Sequence, residues 1–222
     1  MCIFVAENKT KNDRIMKKQL LILLMLMPLM ASADDPVEIN GIWYNLITKA
    51  RIAEVTSGTT KYTGDVVIPA TIKYEDVTYS VTTIGDNTFK NCSNLTSVTI
   101  PNSVTAIGED AFSDCSRLSS VTIPNSVTSI GEDAFYGCSN MDGVYISDIA
   151  SWCGISFASV YSNPLYGAHH LFLNGIEVKE LVIPSTVTCI YNYTFSGCSS
   201  LTSVTFPNSL EDIGEVAFSI CI

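Results

Sequence analysis

One motif recurs along the chain at a fixed spacing and restricts the folds that the chain can adopt. The nine residues SVTIPNSVT occur at 97–105 and again, unchanged, at 120–128, so the two copies lie 23 residues apart. Further copies begin at Leu181 and Leu201, and a partial copy precedes the first. A Phe-x-x-Cys element keeps the same phase at Phe89/Cys92, Phe112/Cys115, Phe135/Cys138, Phe195/Cys198 and Phe218/Cys221. This constant register predicts a solenoid in which each repeat forms one coil.

The apolar spacing within a repeat predicts how one coil is built. Val98 and Ile100 alternate with Ser97 and Thr99, which is the period of a strand with one buried face. Pro101 lacks the N–H group that a strand ladder needs, so we expect the strand to end there.

The second half of the repeat predicts a return path toward the next coil. Val104 and Ile107 direct a second short segment inward, and Gly108 is expected to permit the bend that follows. Residues 109–112 (EDAF) predict a helical turn with acidic side chains near its N-terminus, where the backbone dipole favours them. A single coil cannot bury its apolar face alone, so stacking on the next coil must bury it.

The pattern L-x-x-V-x-I-P-x-x-V-x-x-I-G-x-x-A-F-x-x-C resembles the 23-residue repeat of the BspA-like bacterial leucine-rich repeat family. The resemblance extends from about Val66 to the C-terminus. It implies a leucine-rich-repeat solenoid, mainly β with short helical turns, that curves in a right-handed sense with a parallel sheet on its concave face. Members of the family are usually exported or surface proteins, and some are implicated in adhesion to host matrix proteins.

The first 33 residues have the features of a secretory signal. Residues 16–18 (MKK) form a basic start, residues 20–30 form an apolar run, and Ala-Ser-Ala at 31–33 offers a cleavage site. We expect translation to begin at Met16, cleavage to follow Ala33, and the product to be exported to the periplasm, the cell surface or the medium. The apolar run of eleven residues is too short to span a membrane.

The charge balance argues against nucleic acid as a partner. The chain has a formal net charge of −10 at pH 7, and removal of the leader would make it more negative. An acidic surface repels phosphate backbones, and the sequence contains no basic cluster.

Two regions depart from the regular repeat. Residues 34–64 precede the solenoid of 65–222, and Asn40-Gly41 with a strand at 50–56 predicts an N-terminal β-hairpin cap. Residues 141–180 form an enlarged coil. There Asp148 is expected to cap a short helix at 149–153, and Asn174-Gly175 predicts a hairpin.

The sequence reaches Ile222 in the middle of a repeat, with no recognisable C-terminal cap. We therefore expect either self-association through the last coil or a truncated piece of a longer protein.

Cysteine, histidine and acidic residues often form catalytic or metal sites, but here we expect them to have structural roles. The phased cysteines are expected to be buried free thiols, with a disulfide as the alternative for Cys153 or Cys189. His169 and His170 favour an ordinary half-buried pair over a catalytic or metal site, because neighbours in a strand face opposite sides. The acid pairs at 109–110 and 132–133 favour solvated carboxylates over a calcium site. We expect no catalysis, no cofactor and no metal.

The outward side chains of the strands and the aromatic residues of the enlarged coil form the predicted ligand-binding surface. Aromatic side chains are favoured anchors in protein interfaces. The candidate residues are Thr99, Thr122, Tyr145, Trp152, Tyr161, Tyr166 and Thr205.

The expected function is an exported, non-catalytic module that binds a protein or glycan, such as a host matrix protein. The alternatives are a structural spacer or a fragment of a larger surface protein, and, less favoured, an enzyme that uses the histidine pair. The small Ser and Thr columns on the strands are explained more simply by sheet propensity than by ligand binding.

Overall fold

Successive repeats fold as stacked coils, and the regular coils contribute one longer strand and one two-residue strand each. The computed structural model describes residues 35–221, so the predicted start at Met16 and cleavage after Ala33 lie outside the described residues. The strands are β1 (Val37–Ile39), β2 (Ile42–Ile47), β3 (Ile52–Thr56), β4 (Gly64–Val67), β5 (Thr71–Tyr74), β6 (Val77–Ile84), β7 (Leu95–Thr99), β8 (Ala106–Ile107), β9 (Ser120–Thr122), β10 (Ser129–Ile130), β11 (Gly143–Ile146), β12 (Ser156–Phe157), β13 (Leu171–Leu173), β14 (Ile176–Glu177), β15 (Glu180–Val182), β16 (Cys189–Ile190), β17 (Ser203–Thr205) and β18 (Asp212–Ile213).

Two parallel ladders run along the solenoid. The first contains β4 with β7, then β9, β11 and β13, then β15 with β17, and we call its outward surface the strand face. The second contains β6, β8, β10 and β12, then β16 with β18. Equivalent residues stack in register, as in the series Val121, Val144 and Leu171. The prediction of a mainly β solenoid with a parallel sheet is confirmed.

The apolar positions of each repeat form one continuous core. In the coil that starts at Leu95, the predicted inward residues Val98, Ile100, Val104 and Ile107 are all buried. The phenylalanines of the Phe-x-x-Cys element stack directly on one another, with ring centroids 5.0 Å apart for Phe89–Phe112 and for Phe112–Phe135. Burial of each such ring stabilises the fold by about 2–3 kcal/mol, and only a neighbouring coil supplies that burial.

The segment 109–112, predicted as a helical turn, folds differently. Asp110 has a left-handed φ of 54°, and its N–H donates to the Glu132 carbonyl of the next coil at 2.9 Å. The N–H of Phe112 likewise donates to the Ala134 carbonyl at 2.8 Å. With left-handed backbone at Asp110 and Asp114, every second N–H from Asp110 to Asp114 points toward the next coil, which a helix cannot do. Asn and Asp suit these positions because they tolerate the left-handed region.

The repeated glycines serve close packing between coils rather than a special backbone angle. Gly108 and Gly131 are not among the residues with positive φ. A Cβ atom on Gly108 would lie 2.6 Å from the backbone N of Asp86, and one on Gly131 would lie 2.5 Å from the backbone N of Glu109. The predicted conformational role of Gly108 is therefore replaced by a steric one.

Local features of the enlarged coil follow the sequence closely. Helix α1 (Ile149–Cys153) begins after Asp148, whose carboxylate accepts from Ser151 N–H at 2.7 Å, as predicted. A 3₁₀ segment (Val160–Ser162) and helix α2 (Leu165–Ala168) follow. The predicted hairpin joins β13 to β14, with Asn174 at φ 51° and Gly175 at φ 81°. Both parallel ladders are interrupted after this coil, between β13 and β15 and between β12 and β16.

The N-terminal residues add three strands to the second ladder. The predicted hairpin pairs β1 with β2 through Asn40 (φ 52°) and Gly41 (φ 81°), and β3 pairs with β2 and in parallel with β6. Tyr62 packs on Phe89 at 4.8 Å and ends the phenylalanine stack. The role of this module as a cap remains a prediction. In residues 35–221 no helix combines the length and the apolar character that crossing a membrane requires.

Candidate functional site

The predicted site residues separate into three locations. Thr99, Thr122 and Thr205 are exposed on the strand face, and Tyr145 lies there half-buried. Tyr145 stands beside Thr122 in the register of β9 and β11. The remaining three candidates lie elsewhere in the enlarged coil.

Trp152 is a core residue, which corrects its prediction as a surface anchor. Its side chain in α1 is 1% exposed, and its Nε1–H donates to the Thr194 carbonyl at 3.0 Å. Asn163 donates to the same carbonyl at 2.9 Å. In this coil no backbone N–H reaches that carbonyl, and the two side chains supply the missing hydrogen bonds. They therefore join the enlarged coil to the regular coils that follow.

Tyr161 and Tyr166 lie near the turns that carry the Phe-x-x-Cys elements, apart from Tyr145. We call this the turn side of the solenoid. Their rings meet edge to face at 5.0 Å, and Tyr136 meets Tyr161 in the same way at 5.2 Å. The neighbouring Tyr166 side chain raises the pKa of Tyr161. Tyr136 was not predicted, although the equivalent residue of the preceding repeat is Ser113, and that difference was visible in the sequence.

Tyr145 forms a stacked pair with Phe172 on the strand face. The ring centroids lie 4.7 Å apart with an interplanar angle of 13°. The pair forms because β13 stacks on β11 as an additional rung, which places Phe172 beside Tyr145 in register. Gly143 lies beneath the rings, and a Cβ there would be 2.8 Å from the Phe172 ring. The equivalent residues in the two preceding repeats are Ser97 and Ser120.

An open cleft lies at the hairpin of β13 and β14, where the first ladder is interrupted. It has a volume of about 570 Å³ and lies between β14 and β15, with Leu173 and Ile149 contributing to its wall. We call it the hairpin cleft. Its lining is mostly apolar, and two of the lining side chains, Ile176 and Val182, are 76% and 63% exposed.

The histidines do not form a joint site. His169 ends α2 with a left-handed φ of 63°, and its Nδ1 lies 3.1 Å from the Gly197 carbonyl. His170 Nδ1 lies 2.6 Å from Glu177 Oε1, and this contact lowers the pKa of Glu177. The pair occupies a helix-to-strand junction, not a strand as predicted, and the two rings have different partners.

The seven cysteines in the described part of the chain are free thiols, including Cys153 and Cys189. In the stacked column, Cys115 and Cys138 donate to carbonyls of the preceding coil at 3.1 and 3.2 Å. Burial raises the pKa of Cys138 to about 12, so its thiol is unreactive at neutral pH.

Acidic side chains are not gathered into an ion site between residues 35 and 221. No group of three or more His, Cys, Asp or Glu side chains there is placed to hold a metal ion. Asp110, from one of the acid pairs considered for calcium, instead pairs with Lys90 at 2.6 Å.

The chain belongs to the family described as the BspA type leucine rich repeat region. The family's sequence model matches six copies of the repeat, over residues 70–162 and 168–222. A comparison with curated proteins finds no match.

Solved structures show the same fold. A leucine rich cell surface protein from Faecalibacterium prausnitzii is 30% identical with a TM-score of 0.57, and the match covers 85% of this chain and 47% of that chain. A leucine rich repeat protein from T. pallidum is 21% identical with a TM-score of 0.51, and the match covers 80% of this chain and 85% of that one. The chain thus spans about half the length of the Faecalibacterium protein.

Proposed function

We propose that the protein is an exported, non-catalytic module that binds a protein or glycan ligand at the cell surface, through the strand face of its enlarged coil. The family, the resemblance to a cell surface protein and the signal-like leader support this proposal. The histidines and cysteines support a non-catalytic role, because they are engaged in structural contacts.

The stacked pair Tyr145–Phe172 is the observation that carries the proposal. Three other coils present threonine at the same outward position (Thr99, Thr122 and Thr205), and two present valine (Val67 and Val182). A rigid aromatic pair on the strand face offers a large contact area at a low cost in side-chain entropy. The hairpin cleft adds exposed apolar side chains on the hairpin that carries Phe172.

The test is binding of the purified protein to a panel of matrix proteins and glycans. Saturable binding that weakens at least ten-fold in the Tyr145→Ala/Phe172→Ala variant is the expected result, since central aromatic residues dominate interface energies. Thr99→Ala/Thr205→Ala is the matched control on the same face, and it should bind like the parent. Binding that both variants retain would move the site away from the pair.

Gly143→Ser provides a second, milder variant. It restores the residue found at the equivalent positions Ser97 and Ser120, and its Cβ would displace the Phe172 ring. Weaker binding with unchanged stability is expected if the geometry of the pair matters. Unchanged binding would show that the pair is not a contact surface.

A structural spacer is the second candidate function. Thr99, Thr122 and Thr205 favour it, because the coils that carry them present no anchor residue at this position. A folded protein that binds no member of the panel would support the spacer over the binding module.

A further inference from the structure

The strand β15 has an open edge that faces the hairpin cleft. Its one paired neighbour is β17, where Lys179 O accepts from Ser203 N at 3.4 Å and Ile183 N donates to Thr205 O at 3.0 Å. In a parallel ladder alternate residues bond to the same neighbour. Lys179, Leu181 and Ile183 therefore face β17, and the N–H and C=O groups of Glu180 and Val182 point to the opposite side.

The preceding hairpin does not cover this edge. Val178 N donates to Leu171 O at 2.8 Å, and Leu173 pairs with Ile176, so the backbone groups of Ile176 and Val178 face β13. Glu177 lies between them and directs its backbone groups away from β13. Yet β14 and β15 are not paired with each other, and the hairpin cleft separates them.

Apolar side chains are exposed on both sides of the cleft. Ile176 belongs to β14 and Val182 to β15, and Val182 stands where Thr205 stands in the next coil. Exposed strand edges with apolar side chains readily pair with another strand, and proteins usually protect them with charges or proline. An extended peptide is the ligand class that satisfies free backbone donors and acceptors on one edge.

The charged residues at the cleft indicate which charge such a peptide should carry. Glu177 is already engaged by His170 at 2.6 Å and by Lys179 at 3.5 Å. Glu180 is exposed, and no ion-pair partner for it occurs among residues 35–221. A basic side chain on the incoming strand would complement it.

We propose that the hairpin cleft binds an extended peptide segment of a partner protein, added as a strand to the edge of β15. An apolar side chain of the peptide enters the cleft between Ile176 and Val182, and a basic side chain lies against Glu180. The proposal rests on the proposed function and names the class of partner for the same enlarged coil.

The test uses heptapeptides selected from a random phage-displayed library on the purified protein, then synthesised with a fluorescent label. Selected peptides should combine apolar residues with Lys or Arg. Val182→Pro removes an N–H that points into the cleft and keeps the bonds of Leu181 and Ile183 to β17, so it should weaken peptide binding at least ten-fold. Thr99→Lys, at an exposed position of β7 outside the hairpin cleft, is the control and should bind normally.

Two further measurements keep the test informative if the proline variant folds poorly. Glu180→Lys changes an exposed side chain and should also weaken binding at least ten-fold. In hydrogen-exchange NMR of the parent protein, the amides of Glu180 and Val182 should become protected when peptide binds.

Three results would overturn the proposal. The first is a library that yields no binding peptide. The second is equal affinity of the selected peptides for the parent, Val182→Pro and Glu180→Lys. The third is a parent dimer that Val182→Pro converts to monomer, which would assign the edge to a second copy of the chain. If panel binding still depends on Tyr145 and Phe172 in any of these cases, the proposed function stands and only the peptide-strand inference fails.

Discussion

Replacing Gly131 with alanine is expected to destabilise the fold by about 3 kcal/mol. The added Cβ would lie 2.5 Å from Glu109 N and 2.6 Å from Gly108 C, whereas ordinary contacts between such atoms lie at about 3.5–4.0 Å. Both atoms belong to the backbone of the preceding coil, so no side-chain rotation relieves the overlap. The coils must move apart, which adds an overpacking cost of about 1–3 kcal/mol and the loss of about 1 kcal/mol from the Gly131 N to Ile107 O bond at 2.8 Å.

Urea unfolding followed by circular dichroism measures this cost through the transition midpoint and the m-value. Gly154→Ala is the control, because its nearest atoms would be 3.5 and 3.8 Å away and its φ of −88° suits alanine. That variant should stay within about 0.5 kcal/mol of the parent. Equal effects of the two substitutions would refute the argument that close approach of the coils requires glycine.

Three other predictions concern the core, the turn side and the thiols. Phe112→Ala should lower the free energy of unfolding in urea by about 3–5 kcal/mol. Phe218→Ala, at a half-buried ring, should lower it clearly less, and equal losses would contradict the stacking argument. Val216→Asn should stabilise the protein by about 1 kcal/mol, because valine is strained at a φ of 59°, where three other coils place Asn87, Asp110 and Asp133. An unchanged midpoint would show no strain. Burial raises the pKa of Cys138 and Cys153 to about 12, so the folded state keeps these protons after the unfolded chain loses them. The contribution of these thiols to stability should therefore be constant below about pH 8. It should fall as the pH rises from about 9 toward 12, by up to about 1.4 kcal/mol per pH unit for each thiol, and Cys138→Ala should reduce the loss.

The coil architecture could be predicted because the repeat encodes it directly. Val98 and Ile100 alternate with polar residues, and any stacked arrangement of equal rungs buries them. The helix at Asp148 and the Asn-Gly turns could also be predicted, since each depends on hydrogen bonds or dihedral angles within a few residues.

The turn side could not be predicted in the same way, because its hydrogen bonds lead to another coil. The sequence EDAF at 109–112 suits a helical turn, yet Asp110 and Phe112 donate to Glu132 and Ala134. The role of Gly108 was missed for the same reason, since its close neighbour is Asp86 in the preceding coil.

The candidate site was predicted only in part, because the enlarged coil has no internal period. Trp152 is buried and donates a hydrogen bond to Thr194, which lies 42 residues away in the sequence. Phe172 joins Tyr145 only because the hairpin stacks as an extra rung, a register that the sequence does not reveal. Tyr161 was grouped with Tyr145, although the two lie on different sides of the coil.

The central claim is that the protein binds its partner through the strand face of the enlarged coil. Hydrogen–deuterium exchange of the purified protein, measured with and without a panel ligand that it binds, tests this claim most directly. We expect protection to be concentrated in β11, β13, β14 and β15, with the regular coil from β7 to β8 unchanged. Protection on the turn side around Tyr136 and Tyr161, with no change in these four strands, would contradict the claim.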